Sequence, residues 1–444
     1  MGSRPAVLRV FAVLGLLRSA VPAAAQETPL TLAEALALSE SQNPDLLAAR
    51  VRAEAQAIRA ESLARTRWPR LLASSGWTRA DNPAMVFAQK LNAGGFDRQD
   101  LDIARLNDPD ALSHLTTVLA VEAPIDLFGK VGDRAAGQAA LGRAAGAAAR
   151  ETTQWIRLRV VEAYHGTLLA AHALGVTDRA LATARSREAD IEARVASGIA
   201  LKADLLRARA RRREREADLA VTRGEVRVAA ARLGRLLGAP PGVTYWPTDR
   251  PGPPAPLDGG EAAWTARALA QRPAVAAAQE RVEAARWVAR AERRSWLPDL
   301  TAHGQIQDHR SGFSAGKRTG MVGAMVIWNA FDPTRTKRLA MAEAELRAAE
   351  QEARAAQDQV RLEVETAWRR ALASRESHAA AAGGAEEGRE ALRVVQERRQ
   401  TGMATITDDL ETEVAGLAAE LGEAAAATEA AIADAGLKAA AGEL

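Results

Sequence analysis

Two carboxylates three residues apart, Asp408 and Glu411, are the residues of this chain best placed by type and spacing to do chemistry. On a helix that spacing puts both on one face. Such a pair attracts cations. Repeated about a symmetry axis it becomes a charged ring, where like charges about 6 Å apart repel by roughly 3 kcal/mol per pair at an effective dielectric near 20. Some pKa values in such a ring are expected to rise. The same two residues also fit an acidic helix start stabilised by the helix dipole, and spacing alone leaves both readings open.

Little else suggests chemistry. His165 and His172 lie seven apart, two turns along one helix face, but two ligands without a nearby acid pair make a poor metal site. The arginine run Arg207, Arg209, Arg211, Arg212, Arg213, Arg215 is interleaved or followed by Glu214, Glu216 and Asp218, and reads as an ion-pair face rather than a nucleic-acid surface. The chain has no cysteine, which excludes a disulfide scaffold, a cysteine metal site, a thiol nucleophile and a lipid-anchored N-terminal cysteine. No nucleophile–base pairing, phosphate loop or metal-ligand cluster is evident. The expectation is no enzyme, no metal and no cofactor.

The elements that must position Asp408 and Glu411 come from an internal duplication. Asn43-Pro44 … Trp68-Pro69-Arg70-Leu71 recurs 229 positions later as Arg272-Pro273 … Leu297-Pro298-Asp299-Leu300. Arg194 … Gly198 … Asp204 recurs 204 positions later as Arg398 … Gly402 … Asp408. Each half carries the same order: helix, proline break, apolar segment, long helix, glycine tip, acid, returning helix. The division is residues 26–240 for the first repeat, 241–259 for a proline- and glycine-rich connector, and 260–444 for the second repeat.

Residues 1–25 read as a secretory signal: Arg4 and Arg9, a short apolar core from Val10 to Leu17, and Ala23-Ala24-Ala25 before Gln26. Their loss removes Arg4, Arg9 and Arg18 and no acid, taking the formal charge from +3 to about 0, so the basic balance is no argument for nucleic acid. The apolar fraction is 48%, but much of it is alanine and only 4% of the chain is aromatic. Alanine buries little area, forms helix best and lets helix axes approach closely. Long helices packed side by side are expected, from about Gly129 to Val195 and from Asp332 to Arg399, each roughly 100 Å long at 1.5 Å per residue.

After each proline break the hydrophobic period becomes two. In Leu300–Gln307 one parity is Leu300, Ala302, Gly304, Ile306 and the other Thr301, His303, Gln305, Gln307, a strand with a greasy face and a wet one. Leu115–Glu122 alternates more weakly, and Leu71–Arg79 and Met321–Trp328 complete two hairpins, about 69–126 and 298–328. Trp68, Trp77, Trp296 and Trp328 flank or lie in these strands, as in interfacial belts. His303 and His309 share a parity and read as wet lumen residues. The first hairpin loop, Asp81–Ala111, is long, polar and turn-rich; the second is short. Strands of about ten residues can cross a membrane at a tilt, but four cannot close a barrel, and an open edge in lipid leaves backbone groups unpaired at several kcal/mol each. Several copies must therefore assemble.

Signal, duplication, strand hairpins and paired R-x-x-x-G-x-x-x-x-x-D tips together resemble the TolC family of outer-membrane efflux channels over essentially the whole mature chain. The resemblance implies a mainly α fold with transmembrane β: a homotrimer whose twelve-stranded barrel, four strands per chain, continues as an α-helical barrel across the periplasm. It implies a passive exit duct of a tripartite efflux or type I secretion system, set in outer-membrane lipid and docked to a periplasmic adaptor and an inner-membrane transporter. It implies that Asp408 and Glu411 line the periplasmic aperture, that Asp204 helps hold the closed state, and that the tips at Gly198 and Gly402 meet the adaptor. The family's aromatic three residues before the tip glycine is Val195 in the first copy and Arg399 in the second, so an Arg399–Asp204 ion pair is the expected latch. The rival reading is a soluble periplasmic coiled-coil adaptor. The exported cargo stays open.

Overall fold

Proline and glycine set the element boundaries. In the computed structural model, residues 26–249, 252, 256–311, 316–401 and 403–444 are described; the signal-peptide expectation and Gly402 fall outside them. β1 (Gln26–Leu30) leads into α1 (Leu32–Gln42), and α2 (Pro44–Arg65) follows a single-residue break at Asn43. β2 (Arg70–Ala80), α3 (Pro83–Ala93), a short 3-10 turn (Arg98–Leu101), α4 (Ile103–Asn107) and β3 (Leu112–Ile125) come next. Then α5 (Lys130–Ala196) and α6 (Lys202–Leu237) run to β4 (Val243–Pro247). The second half repeats the order with α7 (Glu261–Gln271), α8 (Pro273–Arg293), β5 (Asp299–Ser311), β6 (Lys317–Ile327), α9 (Arg335–Gln400) and α10 (Ile406–Ala441). At 67 and 66 residues, α5 and α9 are each about 100 Å long.

The residues cluster into two compact units. One comprises Met1–Pro44, Ile156–Ala255 and Leu372–Ala435; the other comprises Asp45–Trp155, Pro256–Ala371 and Gly436–Leu444.

In the first unit, Thr31 and Glu34 form a reciprocal capping box that starts α1. The chain's break at Pro44 frees the Asn43 side chain to donate to the Leu236 carbonyl at 2.8 Å, near the C-terminal end of α6. Gly238 then ends α6 with φ 70°, so close that an added Cβ would stand 2.4 Å from the Gln42 carbonyl oxygen. A core of Leu30, Ala35, Ile156, Val160, Tyr164, Leu233 and Leu237 fills the space between these elements. The buried Tyr164 hydroxyl donates to Leu30 O at 2.9 Å and accepts from the Thr248 and Asp249 amides. It thereby fastens β1 to the segment after β4; β1 and β4 pair in parallel. The stretch expected to be only a connector thus holds a strand: Val243, Thr244, Tyr245 and Trp246 are β-formers.

In the second unit the same construction recurs with different chemistry. Arg272 stands where Asn43 stood and donates to the Ala440 carbonyl at 3.0 Å. Gly442, with φ 82°, packs against Arg272 as Gly238 packs against Gln42. Arg272 is buried and ion-paired to Glu151 and Glu363; these carboxylates offset its desolvation and raise its pKa.

This unit also holds a four-stranded antiparallel sheet in the order β2-β3-β5-β6. Register puts Leu71, Trp77, Leu119, Val121, Ile306 and Val322 on one face, and Val322 is 91% exposed. His114, Thr116, Glu122, His303, Gln305, Gln307, His309 and Lys317 share the other. The alternation is that of a wall between hydrocarbon and water. Trp328, expected at a strand end, lies just past β6 and donates from its indole to Trp296 O at 2.9 Å. The long first loop departs from expectation. Asn82-Pro83 is not merely a turn signal but a helix start, with Asn82 Oδ1 accepting from the Met85 amide and proline at the first helical position of α3.

Candidate functional site at the hairpin tips

The tips lie within the first unit. α5 ends in a Schellman turn: Gly198 has φ 75°, its amide bonds Val195 O at 3.0 Å, and Ile199 N bonds Arg194 O at 2.8 Å. Met403 N bonds Arg398 O at 2.8 Å, the same contact 204 residues on.

Asp408 opens α10. Its carboxylate accepts from the Thr405 amide at 2.9 Å and the Thr405 hydroxyl at 2.8 Å, while its own amide donates back to that hydroxyl at 3.1 Å. The Thr405 backbone and hydroxyl hydrogen bonds, in that order, hold the Asp408 carboxyl below the usual carboxylate range. In the protomer the local cap therefore acts against the rise that a charged ring would impose. Glu411 is exposed on the next turn. Asp204, in the first turn of α6, is paired with Arg207 at 3.4 Å.

Arg399 does not reach Asp204 within the protomer. It pairs instead with Asp409 at 3.0 Å, where Asp409 also accepts from Arg187 Nη2 at 3.0 Å and is only 1% exposed. Arg187 extends its other nitrogen to Glu413. Asp409 and Glu413 are one helical turn apart on α10, so a single guanidinium from α5 spans both. The cluster holds two cations and two anions, which is what allows a carboxylate to be buried there. The other Asp409 oxygen has no hydrogen-bond partner among the described residues. These residues were missed in the sequence because Asp408 and Glu411 drew attention to one face of α10; the i,i+4 pair Asp409 and Glu413 was the available signal for another.

Beside the cluster runs a groove of about 560 Å³, lined by Ile191, Ala208, Leu410 and Val414 together with Arg207 and Arg211. The arginine run proves to be an ion-pair face on α5 and within α6: Arg212 binds Glu188 and Glu216, Arg209 binds Glu192, and Arg215 binds Asp218. His172 lies 3.5 Å from Glu420, and among the described residues no group of three or more metal-ligating side chains is present.

A sheet with one greasy and one wet face, and two helical hairpins with matched tips, are features of a channel wall. The outer membrane efflux protein profile matches residues 35–239 and 264–443, one match in each half of the duplication. The chain belongs to the outer membrane efflux protein family. Membership makes it an outer-membrane efflux protein. Among curated proteins no sequence matches it. Among solved structures the fold matches the Campylobacter jejuni CmeC outer membrane channel, with TM-score 0.79, 15% identity, and coverage of 93% of this chain and 85% of that one. A membrane protein from Pseudomonas aeruginosa matches with TM-score 0.77 and 21% identity over 92% and 93% of the two chains. The open state of the Neisseria gonorrhoeae MtrE outer membrane channel matches with TM-score 0.74 and 18% identity over 93% and 88%.

Proposed function

We propose that this efflux duct works as a homotrimer, each copy giving four strands to a twelve-stranded barrel in outer-membrane lipid and two hairpins to a periplasmic helical barrel. The observation that carries this is the sheet itself: β2 and β6 are both open edges, and in lipid each unpaired backbone group costs several kcal/mol. Pairing β6 of one copy with β2 of the next removes every edge. The mature chain begins after residue 25, and its repeats, 26–240 and 260–444, place one hairpin each in the barrel wall.

The duct performs no catalysis. Transport energy comes from an inner-membrane transporter, reached through a periplasmic adaptor that meets the tips at Gly198 and Gly402. Asp408 and Glu411 of three copies line the aperture and favour cations. Asp204 and Arg399 latch the closed state between neighbouring helix pairs; because each already has an intrachain partner, closing the latch requires Arg207 or Asp409 to yield one.

Detergent extraction followed by electrophoresis without heating tests the assembly. A heat-sensitive species three times the monomer mass is expected, and recovery as a soluble monomer after alkali washing would refute the duct. For the latch, the bilayer conductance of Arg399→Ala decides: an unchanged closed-state conductance removes it.

A further inference from the structure

The wet face of the sheet is not open along its whole length. His114 and His309 point to that face, where a water-filled barrel would leave them exposed, yet they are 3% and 6% exposed. Their rings meet, with His114 Nε2 3.2 Å from His309 Nδ1. The element packed on β5 and β6 is α3, from the long first loop. Its Val86 is buried, and the Cβ position of Gly94 at its end lies 3.2 Å from Lys317 Cδ, on the same face as His309. α3 is also tied back to its own loop. Lys90 Nζ bonds Asp100 Oδ1 at 2.6 Å, and Phe87 packs edge-on against Phe96 with ring centroids 4.9 Å apart. The loop has therefore folded inward over the polar face, at the end of the strands remote from the long helices.

We infer that α3 is an inward plug, and that the duct has a second gate at its outer mouth in addition to the periplasmic aperture. This rests on the trimeric barrel reading. Twelve strands spaced about 4.8 Å and tilted about 40° enclose a circle about 24 Å across between backbones. Three helices, each about 10 Å in diameter with side chains, fill a circle of about 22 Å. One α3 from each copy is enough to occlude the mouth. Outward passage then requires α3 to leave the polar face of β5 and β6, exposing the buried Val86 and His309 to water.

The chain's lack of cysteine makes the test direct. Single cysteines are placed at Gln305, on the wet face four residues further along β5 from the hairpin end than His309, and at Leu91, on the exposed side of α3. Intact cells are treated with a maleimide carrying a bulky polymer. With the natural loop, Leu91→Cys labels fast, and Gln305→Cys labels about tenfold or more slowly, because the open state is a minor population. Replacing Pro83–Ala93 by a glycine–serine segment, or introducing Val86→Asp, raises Gln305→Cys labelling to the Leu91→Cys rate. Equal labelling of Gln305→Cys and Leu91→Cys with the natural loop overturns the plug, and this comparison needs no loop variant to fold. Val322→Cys separates the two readings: shielded by lipid it stays unlabelled, and if it labels freely the barrel itself is wrong.

Discussion

Arg187 and Asp409 meet at 3.0 Å across two different hairpins, and Asp409 is the most deeply buried acid near the tips. Arg399 approaches the same oxygen from α9. Three helices thus converge on one carboxylate, and the geometry makes it a joint rather than a surface charge. Arg187→Met leaves Glu413 without this partner and Asp409 with one cation fewer. Breaking such a pair costs about 3 kcal/mol. The expected result is faster amide exchange over Asp409–Val414 and on the facing turn of α5, partly restored by Arg187→Lys; unchanged exchange would remove the joint.

The aperture acids give a separate prediction. Asp408→Asn with Glu411→Gln reduces cation preference and block by multivalent cations, read as a shift of reversal potential in a salt gradient. Thr405→Val leaves the charges in place but deletes the hydroxyl bond that lowers the Asp408 pKa. The pKa then moves back up towards 3.8, so cation block in Thr405→Val is lost at a higher pH than in the natural protein.

Burial lowers the pKa of His165 from 6.5, with the Asp249 charge opposing. As pH falls through 6.5 the unfolded chain takes the proton first. Stability is therefore greatest above that value and declines below it. Thermal midpoints of the detergent-solubilised protein should fall between pH 7.5 and 5.5, and His165→Phe should flatten that slope.

Two glycines separate backbone strain from crowding. Gly198 has φ 75° with nothing near its Cβ position, whereas Gly238 has φ 70° and the Gln42 carbonyl oxygen at 2.4 Å. Gly198→Ala is expected to cost about 1 kcal/mol, the left-handed penalty alone. Gly238→Ala should cost roughly 3 kcal/mol or more, since backbone must also move. Thermal midpoints of the two variants, compared side by side, check the order.

Much of the architecture was legible because it depends on local rules. Pro44 and Pro273 cannot extend the preceding helix, and the alternation Leu300, Ala302, Gly304, Ile306 can serve only a two-sided strand. Alanine-rich runs without proline favour continuous helix. The loop at Asp81–Ala111 was misread because asparagine and proline mark turns and helix starts alike, and only the residues that follow decide.

The sequence by itself determined the duplication, the strand faces and the two long helices, since periodicity and breakers act within a few residues of one another. The tertiary structure alone decided which acid is the joint and which is the cap. Asp408 and Asp409 are adjacent and identical, and they differ only in where one helical step of about 100° points them: one back to Thr405, the other between Arg187 and Arg399. It also decided that α3 packs on β5 and β6 and that His114 meets His309. Those contacts join residues far apart along the chain, and no local pattern encodes which distant partner a side chain meets.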